Sequence, residues 1–130
     1  ETVPDDVPRY RLPKNFQKGL ELFNLHRAAI LGTKHIVIVE GYWSAMRLHL
    51  EGIPTVATCG TSISDEQVKQ LIASGYRYAT VIFDGDEQGR SGAQSVVLRL
   101  SQNLYVRRID LPDGIKPDTM STDWFARLKT

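Results

Sequence analysis

The chain has a single cysteine, Cys59. That excludes an intrachain disulfide and any zinc site built on several cysteines. It also suits a reducing compartment, so a cytoplasmic protein is the expectation. No apolar run approaches the length of a membrane span, and the N-terminus lacks a signal-peptide pattern. An excess of one charge is missing too: sixteen Lys and Arg stand against fifteen Asp and Glu. The overall field therefore does not draw a polyanion, and any nucleic-acid contact has to come from local patches. Glycine-rich phosphate loops of the dinucleotide or P-loop kind are absent, although Gly41 and Gly60 both follow strand-like runs. There is no internal repeat and no low-complexity stretch. A 42% hydrophobic content over 130 residues is enough for one domain with a real core. The chain opens on Glu1 rather than Met, which suggests a piece of a longer protein.

Residues 1–19 carry Pro4, Pro8 and Pro13 with Arg9, Arg11, Lys14 and Lys18, and read as extended. From Leu20 the pattern turns helical, with Leu22, Leu25 and Ala29 on one face and Gly32 as a stop. The run His35-Ile36-Val37-Ile38-Val39 reads as a strand buried on both faces. A helix over 42–51 follows, with Ala45, Met46, His49 and Leu50 predicted inward. A strand over 53–58 comes next. Ser64 and Gln67 form a capping box opening a helix whose apolar face is Val68, Leu71 and Ile72. Tyr78 to Phe83, rich in β-branched and aromatic residues, is the third strand. Ala93, Val96, Val97 and Leu100 give the next helix its inner face. A fourth strand is expected over 104–109 and a last short helix over 122–128. Strands alternating with helical crossovers predict an α/β fold: a Rossmann-like, four-stranded parallel sheet flanked by helices.

Acidic residues fall at the ends of these strands. Glu40 ends the first, Asp84 and Asp86 the third, and Asp113 and Asp118 follow the fourth. In a parallel sheet those ends share one edge, where open α/β folds place ligands. Residues two apart in an extended segment point the same way, so Asp84 and Asp86 are expected to aim at one cation, with Gly85 letting the backbone bend. Carboxylate oxygens suit Mg²⁺ or Mn²⁺, and such ions serve phosphoryl or nucleotidyl chemistry. The alternative is that these carboxylates form turns and helix caps, Asp86 especially. His35 and His49 read as core or surface residues. Cys59 reads as a small buried residue rather than a nucleophile, and Trp43, Trp124 and Phe125 as packing rather than stacking platforms.

Val39-Glu40-Gly41, followed by Phe83-Asp84-Gly85-Asp86-Glu87-Gln88-Gly89-Arg90, resembles the TOPRIM domain shared by primases, topoisomerases, some nucleases and recombination proteins. Gly52-Ile53-Pro54, the run from Ala57 to Ser64, and Leu111-Pro112-Asp113-Gly114 with Pro117-Asp118 resemble the bacterial-type primase version. Upstream, Pro8-Arg9-Tyr10 and Phe16-Gln17-Lys18-Gly19 are similar to the basic segment before TOPRIM in those primases. The resemblance divides the chain into 1–33, a basic extended segment and helix; 34–118, the TOPRIM domain; and 119–130, a tail. It implies Glu40, Asp84 and Asp86 as catalytic residues, joined by Asp118 in holding Mg²⁺ or Mn²⁺, with Glu40 either a ligand or an acid/base. It implies Arg9, Lys18, Arg90 and Lys116 as nucleotide or nucleic-acid contacts. The activity implied is synthesis of RNA primers from NTPs on single-stranded DNA, with a replicative helicase met through domains absent here. The domain alone is expected to be inactive. Two positions depart from the family pattern: Ser44 and Lys116 stand where acidic residues are usual. A TOPRIM nuclease and a non-catalytic nucleic-acid-binding module are the alternatives.

Overall fold

The computed structural model describes residues 22–119. The expected basic segment with Arg9 and Lys18, and the expected helix over 122–128 with Trp124 and Phe125, lie outside the described residues. The elements are α1 (Leu25–Ile30), β1 (His35–Val39), α2 (Tyr42–Leu50), β2 (Thr55–Ala57), α3 (Asp65–Ala73), β3 (Tyr78–Phe83), α4 (Glu87–Leu100) and β4 (Tyr105–Asp110). A 3₁₀ turn, Pro117–Thr119, follows. The four strands form one sheet in the order β2-β1-β3-β4. Every pair is parallel, with Val37 opposite Thr55, Val37 opposite Thr80, and Thr80 opposite Arg107.

This order follows from alternation and connection. The chain steps from β1 to β2 in one direction, then from β2 past β1 to β3 and on to β4 in the other. Connections of a single hand then put α2 on one face and α3 and α4 on the other. The core divides accordingly. Ile36, Ile38, Val81 and Phe83 pack with Val68, Leu71, Val96 and Leu100 on one side. Val37, Val39 and Ile82 pack with Ala45, Leu48 and Ile53 on the other. β1 is buried on both faces, and so is all of β3 after Tyr78, as their continuous apolar runs require.

Several boundaries differ from expectation for physical reasons. Leu22 and Phe23 precede α1 rather than forming it: Phe23 pairs antiparallel with Ala57 through two backbone bonds of 2.9 and 3.1 Å. An outer strand has unpaired amides and carbonyls, and this pairing satisfies some of those of β2. Within α1 it is Ala28, not Ala29, that is buried. β2 is shorter than predicted because Pro54 has no amide to give; its carbonyl instead accepts from Val37 at 2.9 Å. The inward face of α2 is Ser44, Ala45 and Leu48, with Leu50 77% exposed and Met46 and His49 half-buried. On α3, Ile72 is exposed and Gln67 takes the inner place. The Ser64–Gln67 capping box is present in both directions.

Candidate active site

The direction of winding reverses between β1 and β3, and neighbouring helices there lie on opposite faces. This opens a crevice beyond the strand ends. Glu40 follows β1 and Asp84 follows β3, so both residues reach that crevice from adjacent strands. The Asp84 amide donates to Glu40 Oε1 at 3.1 Å. A cavity of about 500 Å³ opens beside them. Glu40 and Asp84 line it together with Lys116 and Asp118 from the loop after β4. Gly41, Tyr42, Trp43 and Ser44 at the start of α2, with Cys59 and Gly60 after β2, complete the wall.

The loop bearing Lys116 and Asp118 is held to the Asp84-Gly85-Asp86 turn by backbone bonds. Gly85 donates to the Ile115 carbonyl at 2.7 Å, and Gly114 donates to the Gly85 carbonyl at 2.7 Å. The contact is close enough that a β-carbon at Gly85 would fall 2.0 Å from the Pro112 oxygen. Glycine is therefore required here by space. Ser44 then donates to Asp118 Oδ1 at 3.3 Å, joining α2 to the 3₁₀ turn.

Asp86 stands apart from Asp84. The chain bends after Phe83, with the Asp86 amide bonded to the Asp84 carbonyl at 2.9 Å. The two-residue alternation of an extended strand therefore does not continue through the turn. Asp86 is exposed and caps α4, its Oδ1 accepting from the Gly89 amide at 2.6 Å. A β-carbon at Gly89 would lie 2.1 Å from the Asp84 oxygen, so the cap needs glycine as well. Arg90 forms an ion pair with Asp113 and reaches the Leu111 carbonyl at 3.4 Å. Neither Arg90 nor Asp113 lines the cavity. Trp43 is 51% exposed on the cavity wall, tilted against Tyr42 with ring centroids 5.9 Å apart. Cys59 is half-buried in a left-handed conformation, its amide bonded to the Glu40 carbonyl at 2.7 Å. The wall residues around Tyr42, Trp43 and Cys59 were legible only through their position: each follows a strand at the same edge.

Burial raises the pKa of the Glu40 carboxyl above its ordinary range, and the charges of Asp84 and Asp86 add to the rise. The Asp84 amide and Lys116 oppose it. Burial likewise raises Asp84, with Lys116 pulling it down and Asp86 and Asp118 pushing it up. The donor chemistry suits a hard cation: two desolvated carboxylates and a third facing one cavity. Among the described residues, however, no three His, Cys, Asp or Glu side chains are grouped as a ready metal cage. An ion held here takes one or two carboxylates and completes its shell with water or phosphate oxygens, the usual habit of Mg²⁺.

A four-stranded parallel sheet in this order, with Glu-Gly after one strand of the switch point and Asp-Gly-Asp after the other, defines a TOPRIM domain. A family model described as Toprim-like matches residues 37–121, and the chain belongs to that family. It is similar to DNA primases. The chain is 37% identical over 129 residues to the DNA primase of Pseudomonas aeruginosa, covering 89% of this chain and 19% of that protein. It is 35% identical over 123 residues to the DNA primase of Aquifex aeolicus, covering 89% and 24%. The chain thus spans about a fifth of the length of these relatives. Among solved structures, the Aquifex aeolicus primase (zinc-binding and RNA polymerase domains) matches with a TM-score of 0.75 at 31% identity, over 97% of this chain and 34% of that one. A DnaG primase catalytic domain bound to single-stranded DNA matches with a TM-score of 0.73 at 26% identity, over 97% and 45%. Among the described residues, no helix is long and apolar enough to cross a membrane.

Proposed function

We propose that this chain is the catalytic TOPRIM part of a primase-like nucleotidyltransferase that makes RNA primers from NTPs on single-stranded DNA. The observation that carries the reading is the meeting of Glu40 and Asp84 at the switch point, on one cavity with Asp118, in a chain 35–37% identical to DNA primases. One or two of Glu40, Asp84 and Asp118 would hold Mg²⁺ or Mn²⁺, with Asp86 adding negative charge from the mouth of the turn. When bound, such an ion neutralises phosphate charge and favours ionisation of an attacking hydroxyl. If it is not itself a ligand, Glu40 would take the proton of a primer 3′-hydroxyl, its basicity increased by burial. Lys116 would face the phosphates of an incoming nucleotide from across the cavity. Arg90 would contact template only after leaving Asp113, an exchange that is cheap for an exposed pair. Arg9 and Lys18 would track template from the preceding segment. Contact with a helicase would use parts of the polypeptide outside this chain.

The test replaces the matching segment of the Pseudomonas aeruginosa primase with this chain and assays primer synthesis on single-stranded DNA. Primers made by the chimera and lost with Asp84→Asn support the reading. Strand cleavage without synthesis indicates a nuclease. Template binding with neither activity indicates a non-catalytic module. The chain alone is expected to make no primers.

A further inference from the structure

Four carboxylates act on one another at the crevice: Glu40, Asp84, Asp86 and Asp118. Among the described residues, Lys116 brings the one ammonium to the cavity wall. Ser44 is on the same wall, where its hydroxyl donates to Asp118 at 3.3 Å. Ser44 and Lys116 thus meet in one cavity with Glu40, Asp84 and Asp118. They supply a hydroxyl donor and a positive charge.

Lys116 is anchored by its backbone, and its charge acts on Glu40 and Asp84. Its carbonyl accepts from the Thr119 amide at 3.0 Å and hydroxyl at 2.8 Å. The loop is bonded to Gly85 on both sides of the turn. The side chain is exposed and makes no ion pair with another described residue. A cavity of about 500 Å³ is roughly 10 Å across, comparable to the screening length at ordinary ionic strength, so an ammonium and a divalent ion inside it repel each other.

We infer that Lys116 is a built-in cation of this site, supplying part of the positive charge its carboxylates require and thereby weakening uptake of divalent ions. This rests on the metal-binding reading above. It goes further in making the stoichiometry and affinity of the site a property of residue 116.

The experiment is Mn²⁺ titration of the full 130-residue chain, with free Mn²⁺ followed by electron paramagnetic resonance. Wild type is compared with Lys116→Met, Lys116→Glu and Asp84→Asn, and far-ultraviolet circular dichroism checks each fold. Lys69→Met, at an exposed lysine near Glu66 on α3, is the control for simple loss of a positive charge. Lys116→Met should tighten Mn²⁺ on the order of ten-fold. Lys116→Glu should tighten it further and raise the number of ions bound, while Lys69→Met changes nothing. Equal binding by wild type, Lys116→Met and Lys116→Glu, lost in Asp84→Asn, overturns the role of Lys116 and leaves the metal reading standing. No Mn²⁺ uptake by any of them overturns both.

Discussion

The backbone amide of Asp84 donates to Glu40 Oε1 across the gap between β1 and β3, at 3.1 Å. One carboxylate of the site is therefore held by the main chain of the next. Glu40→Gln keeps an acceptor in that place, whereas Glu40→Ala leaves a half-buried donor without its partner. Glu40→Gln should be more stable than Glu40→Ala by about 1–2 kcal/mol in urea unfolding. Equal stabilities would show that the bond contributes nothing.

Both carboxyls titrate above their ordinary values, Glu40 from 4.5 and Asp84 from 3.8. Between the ordinary and the raised value the folded state binds more protons than the unfolded state, so stability falls as pH rises through that window. The penalty is fully present above the raised values and relieved below the ordinary ones. Asp84→Asn should therefore raise Tm at pH 7 by roughly a few degrees, with the gain vanishing as pH falls to the ordinary carboxyl range. A gain that is independent of pH would contradict the assignment.

His35 has the opposite sign. Burial, with Arg107 nearby, lowers its pKa from 6.5. Arg107 Nε donates to Thr80 Oγ1 at 2.7 Å, leaving the Thr80 hydroxyl proton to meet a neutral His35 Nε2 at 2.7 Å. Below 6.5 the unfolded state takes up the proton first, so stability falls with falling pH through that window and is fully present above it. His35→Gln should flatten this part of the profile, measured by urea unfolding at intervals from pH 5 to neutrality.

Asp86 has a structural duty that is separable from any chemical one. Asp86→Ala removes the cap of α4 and should cost about 1 kcal/mol, while Asp86→Ser restores most of it. If Asp86 also acts on the ion or nucleotide, the serine variant will fold normally and still lose Mn²⁺ affinity. Full Mn²⁺ binding by Asp86→Ser would leave Asp86 as a cap alone.

Gly85→Ala tests the coupling between the acidic turn and the loop bearing Lys116 and Asp118. The added carbon meets a backbone oxygen at 2.0 Å, so that loop has to move. The expected cost is about 2–3 kcal/mol, with faster hydrogen exchange at the Gly114 amide, whose bond to Gly85 breaks. Unchanged exchange at Gly114 would contradict the coupling.

Local pattern carried most of what was legible. The continuous apolar runs of β1 and β3 and the Ser64–Gln67 box each depend on neighbours within a few residues, and all appear as expected. The structure differs from local pattern where a distant partner decides. Leu22 and Phe23 read as helix until the edge of β2 claimed Phe23. The rotation of α2 is set by polar Ser44 facing inward to Asp118, which no hydrophobic period reveals.

The sequence by itself determined the kinds and order of elements, and with them the placing of Glu40 and Asp84 at the ends of parallel strands, because periodicity and turn chemistry act at short range. The tertiary structure alone decided the strand order β2-β1-β3-β4, and hence that Glu40 and Asp84 are neighbours across the switch point. It also separated Asp86, spent on a helix cap, from Asp84, and brought Lys116 and Asp118 onto the same cavity through the bonds at Gly85. These are contacts between residues tens of positions apart, set by the direction of each crossover and the closeness of two backbones, and no short stretch of sequence carries that information.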